Sequence, residues 1–326
     1  MVGHEWAVAL LSRRLATGRV AHAYLFCGPP QVGKTRLARI LAQALNCPQP
    51  EPPCGQCPSC LKIEKQTHPD VRLISGEGAG DSFKIDQIRD LQREAAFFPY
   101  EGRHRVFILR RMDLATMEAA NSLLKTLEEP PQHVVLILTA LTAENLPSTV
   151  VSRCQRLDLR PIGRSRIEAA LQARGLTPEK ARLLARLSAG RIGWAIEASG
   201  DDAILSRRQR DLDHLIHLLS AGRVERLDVA SKIARDPRVC RDLVELWAAW
   251  WRDLVLLSGK NEESLVNIDR ATELQSLAQP SRLAEAWATL RTLQTVAAQL
   301  EANVNARLAM ENMLLKLPHW RLRDRV

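Results

Sequence analysis

Gly28-Pro29-Pro30-Gln31-Val32-Gly33-Lys34-Thr35 fits the pattern G-x-x-x-x-G-K-[ST], whose chemistry is the holding of phosphates. Backbone N–H groups of such a loop cradle phosphate oxygens, the lysine adds a point charge, and the Thr hydroxyl can ligate Mg²⁺. Gly28, Gly33, Lys34 and Thr35 are therefore candidate nucleotide-binding residues. Gln31 stands where many such loops have a further glycine, so its Cβ strains a conformation that glycine tolerates. A second cluster, Cys47, Cys54, Cys57 and Cys60, is spaced C-x6-C-x2-C-x2-C. Four thiolates suit tetrahedral Zn²⁺, and C-x2-C turns let two sulfurs face one ion. With all four positions filled by sulfur, none is open to substrate, so the zinc would be structural. Pro48, Pro50, Pro52, Pro53 and Pro58 are expected to exclude a helix across this segment.

A phosphate loop hydrolyses ATP only with carboxylates at the end of a neighbouring strand, one to hold Mg²⁺ and often one to activate water. Ile108-Leu109 closes the strand where that pair belongs, but Arg110-Arg111 follows, then Met112 and Asp113. Guanidinium groups stay protonated, repel a metal and cannot act as a base. Asp113 comes three places late and is expected in another part of the site. Hydrolysis by this chain alone is therefore not expected. Binding of ATP or ADP with Mg²⁺, without turnover, is the reading left standing.

The elements around these residues are legible. Ala23–Cys27 reads as a buried strand feeding the loop, and Leu37, Ile40, Leu41, Ala44 and Leu45 mark one helix face after it. Such a strand, loop and helix aim a helix N-terminus at an anion. An amphipathic helix precedes them, with Trp6, Leu10, Leu11 and Leu15 as its apolar face. Further strands are expected at 71–74, 106–109, 134–138 and 157–159, with a loop at Gly76–Gly80, a helix from Ile85 and another over 115–127. Strands alternating with helices imply a parallel sheet flanked by helices. Beyond Ile162 no strand-like run occurs: three short helices are expected to about residue 202, then longer ones. The spacing of Trp247, Trp250 and Trp251 places them in a helical core. The fold class is α/β followed by all-α.

The length of 326 residues fits two or three domains. The formal charge of +9 suits an anionic partner, nucleic acid being the commonest, and equally a solvated basic surface. Met1-Val2-Gly3-His4-Glu5 does not begin a signal peptide, and the longest apolar stretch, 246–257, is broken by Arg252 and Asp253. A cytoplasmic location is expected, where seven cysteines point to metal or free thiols rather than disulfides.

Asn121-Ser122-Leu123-Leu124-Lys125-Thr126-Leu127-Glu128-Glu129-Pro130-Pro131, followed by Ser152-Arg153-Cys154, resembles the AAA+ clamp-loader family of bacterial DNA polymerase III. The cysteine insert after the phosphate-loop helix is similar to that family, as is Asn303-Val304-Asn305-Ala306-Arg307-Leu308. The likeness covers most of the chain and is strongest over 21–159. It implies an AAA+ P-loop domain over 1–162 with a zinc-binding insert at about 46–62, a three-helix lid over 163–202 and a helical collar for oligomerisation over 203–326. Two subunit types share this plan, an ATP-hydrolysing motor (tau/gamma) and a non-hydrolysing delta-prime. The motor carries Asp-Glu where this chain has Arg110-Arg111, and a lid (sensor 2) arginine where Gly193 stands here. Its tau form also extends beyond the collar, whereas this sequence ends at Val326. These three differences imply the non-hydrolysing type, and the intact Gly33-Lys34-Thr35 leans the other way.

The resemblance further implies that Arg153 is an arginine finger, reaching the γ-phosphate in the ATP site of the adjacent subunit. Thr139 resembles the polar sensor 1 residue, with a purely structural role left open. The implied assembly is a pentameric ring with tau/gamma motor subunits and a delta subunit. That ring would act on the sliding clamp and primer–template DNA, away from any membrane. The competing readings are an active ATPase of the same machine or a related loader, and a stand-alone zinc-dependent DNA-binding protein, for which no base-reading motif is present.

Overall fold

Strand and helix alternate through the first half of the chain, and the strands over 23–27, 106–109 and 134–140 are short apolar runs buried on both faces. The structure is a computed structural model, and it describes residues 1–77, 82–259, 261–302 and 304–320. Positions 78–80 of the expected glycine-rich loop and Asn303 lie outside the described residues. The chain forms two compact units, one of residues 1–166 with Gly190–Gly193, the other of Ile167–Ala189 with residues from Trp194 onward.

The first unit runs α1 (Glu5–Ala16), β1 (Ala23–Cys27), α2 (Lys34–Asn46), α3 (Pro58–Glu64), β2 (Val71–Ser75) and α4 (Ile85–Ala95). It continues with β3 (Arg105–Arg110), α5 (Met117–Glu128), β4 (Val134–Ala140), α6 (Ser148–Val151) and β5 (Gln155–Asp158). The five strands form one sheet in the order β2-β3-β4-β1-β5, and every pairing is parallel. Alternation along the strands divides the core in two. Ala23, Leu25, Phe107, Leu109, Leu136 and Leu138 share one apolar layer with Ile88, Leu91, Leu123 and Leu127 of α4 and α5. Tyr24, Phe26, Val106, Ile108, Val135 and Ile137 share the other with Leu11, Leu37, Leu41 and Leu45 of α1 and α2.

Three local expectations need correction. The proline-rich segment does contain a helix: α3 starts at Pro58, with Cys57 as its N-cap. A proline at the first helical position loses nothing, since its missing N–H would have had no intrahelical partner. In α1 the buried residues are Ala7 and Leu11, while Trp6 is exposed, so the inward face is offset from the one expected. The last strand lies two residues earlier than its apolar pattern, at 155–158, and Leu159 N–H adds a bond to the Cys27 carbonyl at 2.7 Å.

The second unit holds α8 (Pro178–Leu187) with most of α7 (Arg164–Gln172) and α9 (Ile192–Gly200). After them come α10 (Asp202–Ser220), α11 (Arg223–Ile233), α12 (Pro237–Ser258), α13 (Ala271–Leu277), α14 (Leu283–Glu301) and α15 (Ala306–Lys316). One apolar cluster joins α10 to α15, and Trp247, Trp250 and Trp251 lie fully buried in it, as their spacing predicts. Among the described residues no helix is long and apolar enough to cross a membrane. Asp253, read from sequence as a break in an apolar run, is buried and accepts from Val266 N–H, Asn267 N–H and Asn267 Nδ2 at 3.0, 2.7 and 2.7 Å.

Candidate functional site

The carboxyl end of a parallel strand is where an α/β sheet offers backbone donors to a ligand. β1 ends at Cys27, and Gly28 N–H turns to the Leu141 carbonyl at 2.9 Å. Gly28 is obligatory here: its φ is 145°, and a Cβ would lie 2.2 Å from the Leu159 carbonyl oxygen. Gly33 N-caps α2 at φ 117°, and Lys34 and Thr35 open that helix. Gln31 takes the left-handed conformation at φ 55°, so the strain expected from a side chain at this position is present. Two contacts hold the loop from outside. Gly193 N–H donates to the Gln31 carbonyl at 2.8 Å, and His4 Nε2–H donates to the Val32 carbonyl at 3.0 Å.

Lys34 folds over the loop, its Nζ donating to the Gly28 and Pro29 carbonyls, the latter at 2.7 Å. Burial, reinforced by the Arg111 charge, lowers its pKa to about 8, against the opposing pull of Asp113. Asp113 does not act as a free carboxylate. Arg111, left-handed at φ 59°, reverses the chain after β3, and a short 3-10 turn over Met112–Leu114 follows. The Arg111 guanidinium then grips the buried Asp113 carboxylate, Nε at 3.1 Å and Nη2 at 2.9 Å from Oδ2. Thr139, buried one residue from the end of β4, accepts from Arg111 N–H at 3.1 Å. Its hydroxyl thus pins the turn that begins at Arg111.

The four cysteines converge as the spacing predicts. Their sulfurs all lie within 4.8 Å of one another, and Cys47 Sγ and Cys57 Sγ are 3.9 Å apart. A tetrahedral centre with Zn–S bonds of about 2.3 Å needs sulfurs roughly 3.8 Å apart, so the donor set fits a metal of that kind. Cys54 Sγ accepts from Cys57 N–H at 3.3 Å, and Cys57 Sγ from Cys60 N–H at 3.4 Å. Backbone donors at Gln56 and Cys57 pull the Cys54 thiol down to about 6, which favours the thiolate a metal requires.

Arg153 follows the short α6. Its Nη1 donates to the Thr149 carbonyl at 3.0 Å, and its Nη2 pairs with Glu128 at 2.8 Å. Its side chain remains 37% exposed, so the guanidinium can be reached from outside this chain. The sequence-predicted residues therefore fall in three groups: the loop with Lys34, Thr35 and Thr139, the cysteine knuckle, and Arg153 with Glu128. His4 escaped sequence reading, and Asp113, expected in another part of the site, instead comes near enough to act on Lys34 while held by Arg111; neither spacing nor type marks a residue that reaches the loop through a turn.

The family described as "DNA polymerase III, delta subunit" matches residues 3–163. The chain is 28% identical over 312 residues to DNA polymerase III subunit delta' of Bacillus subtilis (strain 168), covering 94% of each chain. It is 36% identical over 214 residues to DNA polymerase III subunit tau of Escherichia coli (strain K12), a match over 63% of this chain and 33% of that protein. It thus spans about a third of the length of that tau subunit. A solved DNA polymerase III gamma subunit-related protein from Thermotoga maritima covers 94% of this chain and 97% of its own, at a TM-score of 0.41 and 17% identity. The family match over the phosphate-loop unit and the delta' match over nearly the whole length together support a DNA polymerase III clamp-loader subunit of the delta-prime type.

Proposed function

We propose that this chain is the non-hydrolysing member of a replicative clamp loader. In this reading it takes one place in a pentameric ring with tau/gamma motor subunits and a delta subunit. It presents Arg153 to a neighbour's ATP and so helps load the sliding clamp onto primed DNA. The observation that carries the reading is the end of β3, where Arg110-Arg111 occupies the place of the metal-binding carboxylates and Arg111 neutralises the nearest carboxylate, Asp113. Gly193 supports it, since its backbone rests on the phosphate loop where the motor type has an arginine side chain. The cysteine knuckle holds structural Zn²⁺, and the loop holds ATP or ADP through Gly28, Gly33, Lys34 and Thr35 without turning it over. The three-part division at about 162 and 202 belongs to the same proposal, with 163–202 as lid and 203–326 as collar.

An arginine supplied in trans to a developing phosphoryl charge is worth about 10³–10⁵ in rate. Mixing the chain with motor subunits, delta, clamp and primed DNA should give a ring whose ATP turnover collapses with Arg153→Ala. Wild-type turnover and loading by that variant would remove Arg153 from the mechanism. A second reading, an ATP-hydrolysing motor, is favoured by the intact Gly33-Lys34-Thr35 and by the 36% identity to tau. Clamp- and DNA-stimulated hydrolysis by the purified chain alone would establish that reading in place of the first.

A further inference from the structure

The turn between α4 and β3 displays three aromatic side chains to solvent, Phe97 at 66%, Phe98 at 82% and Tyr100 at 85% exposure. A turn with such a surface would be expected to collapse onto the nearest apolar face, yet its backbone is held at both ends. On the leading side, Arg105 Nη1 donates to the Glu94 carbonyl at 2.8 Å and His133 Nε2–H donates to the Phe97 carbonyl at 3.0 Å. The His133 ring also stacks on Phe98, with centroids 4.8 Å apart.

The trailing side is gripped by residues that flank the cysteine knuckle. Asn46, immediately before Cys47, accepts from Arg103 N–H and His104 N–H through one oxygen, both at 2.9 Å. Asp70, six residues after α3, accepts from Tyr100, Glu101 and Gly102 N–H groups at 2.7, 2.8 and 2.8 Å. The approach is so close that a Cβ on Gly102 would fall 2.5 Å from Asn46 Oδ1. α3 itself, which carries Cys60, adds two links: Lys62 pairs with Glu101 at 2.7 Å, and Ser59 Oγ accepts from His68 Nε2–H at 3.2 Å. His68 is buried, and its Nδ1 accepts from Asp70 N–H at 3.1 Å, which places the ring proton on Nε2.

We propose that the cysteine knuckle braces this turn, so that metal at Cys47, Cys54, Cys57 and Cys60 fixes the geometry in which Phe97, Phe98 and Tyr100 are displayed. The inference rests on metal binding by the four thiolates. The four sulfurs form a cluster of their own, and α3 is otherwise tied to α2 through buried Ile63 and through Gln43 Nε2, which donates to the Cys60 carbonyl at 2.9 Å; a bound ion adds the direct link from Cys47, beside Asn46, to Cys60 on α3. Asn46 and the 68–70 segment pass that link to five consecutive amides, 100–104.

Hydrogen exchange by mass spectrometry on the full chain, with zinc counted in the same sample, tests the coupling. Removing zinc with a chelator should speed exchange of amides 100–104 at least about tenfold while the β4 amides hold. Asn46→Ala, measured with zinc still bound, should speed the same amides without exposing 47–60. A zinc-loaded chain whose 100–104 amides respond neither to chelation nor to Asn46→Ala overturns the coupling and leaves the metal site intact. A chain that binds no zinc overturns the metal reading itself. Amides that respond to Asn46→Ala but not to chelation, or a chelation effect that loosens β4 equally, overturn the metal's part in the brace.

Discussion

Lys34 carries a charge that its surroundings oppose. Burial and the Arg111 guanidinium together hold its pKa near 8, well below the usual 10.5. A base whose pKa is lowered by folding binds fewer protons folded than unfolded between those two values, so its contribution to stability rises as pH climbs from about 8 to 10.5. Phosphate binding has the opposite sign, because the anion needs the protonated lysine. Under the proposal that the loop binds nucleotide, ADP affinity should not change through Lys34 below about pH 8 and should weaken above it, by at most about tenfold per pH unit. Calorimetric titrations from pH 7 to 9.5 read this directly, and Lys34→Met should abolish the slope. An affinity that stays flat to pH 9.5 in the wild type would mean that Lys34 does not contact the phosphates. The motif made Lys34 easy to find, because it depends on residue type and spacing alone. Its environment was not legible, since Arg111 and Asp113 come near it only through a left-handed residue that sequence does not announce.

At the scale of elements, the parallel sheet was readable because both of its faces are buried and its strands are near-continuous apolar runs. The edge strand β5 was misplaced by two residues because Gln155 and Arg156 carry backbone pairing without apolar side chains. The contact of Gly193 with the loop was out of reach for the same kind of reason: it is made by backbone atoms. The Gly193 N–H belongs to the first turn of α9, where amides lack intrahelical partners, and Gln31 supplies one. A Cβ here would sit 2.8 Å from the Gln31 oxygen, closer than side-chain carbons approach other atoms. Under the proposed non-hydrolysing role, an arginine placed here should therefore not produce a motor. Gly193→Arg is expected to cost about 1–3 kcal/mol in chemical denaturation through overpacking against the loop, with no gain in ATP turnover. Gly193→Ala should cost a similar amount, because the clash begins at Cβ. Unchanged stability in both variants would show that the loop yields, and that the glycine is not a requirement of this fold.

Across the whole molecule, the two units have separate cores: the sheet layers draw on residues 7–159, the helical cluster on residues 212–320. Each also has its own polar fastening. In the first unit it is the cysteine knuckle with Asn46 and Asp70. In the second it is buried Asp253 on α12, linked through Asn267 to Arg208 on α10. Arg208 is itself paired with Asp269 at 2.6 Å. Removing one member of such a network strands the donors it satisfied, which costs about 3–5 kcal/mol for a buried charge. Six of the seven tryptophans lie in the second unit and only Trp6 in the first, so tryptophan fluorescence reports mainly on the helices. Far-UV circular dichroism reports on both. Separate cores predict a crossed result in thermal unfolding. Under the proposed zinc binding, Cys57→Ser, or chelation, should lower one dichroism transition while the fluorescence transition stays in place. Asp253→Ala should lower the fluorescence transition and leave the zinc-sensitive one alone. If each perturbation moved both signals equally, the units would be unfolding as one cooperative body, and neither fastening could be assigned to a single core.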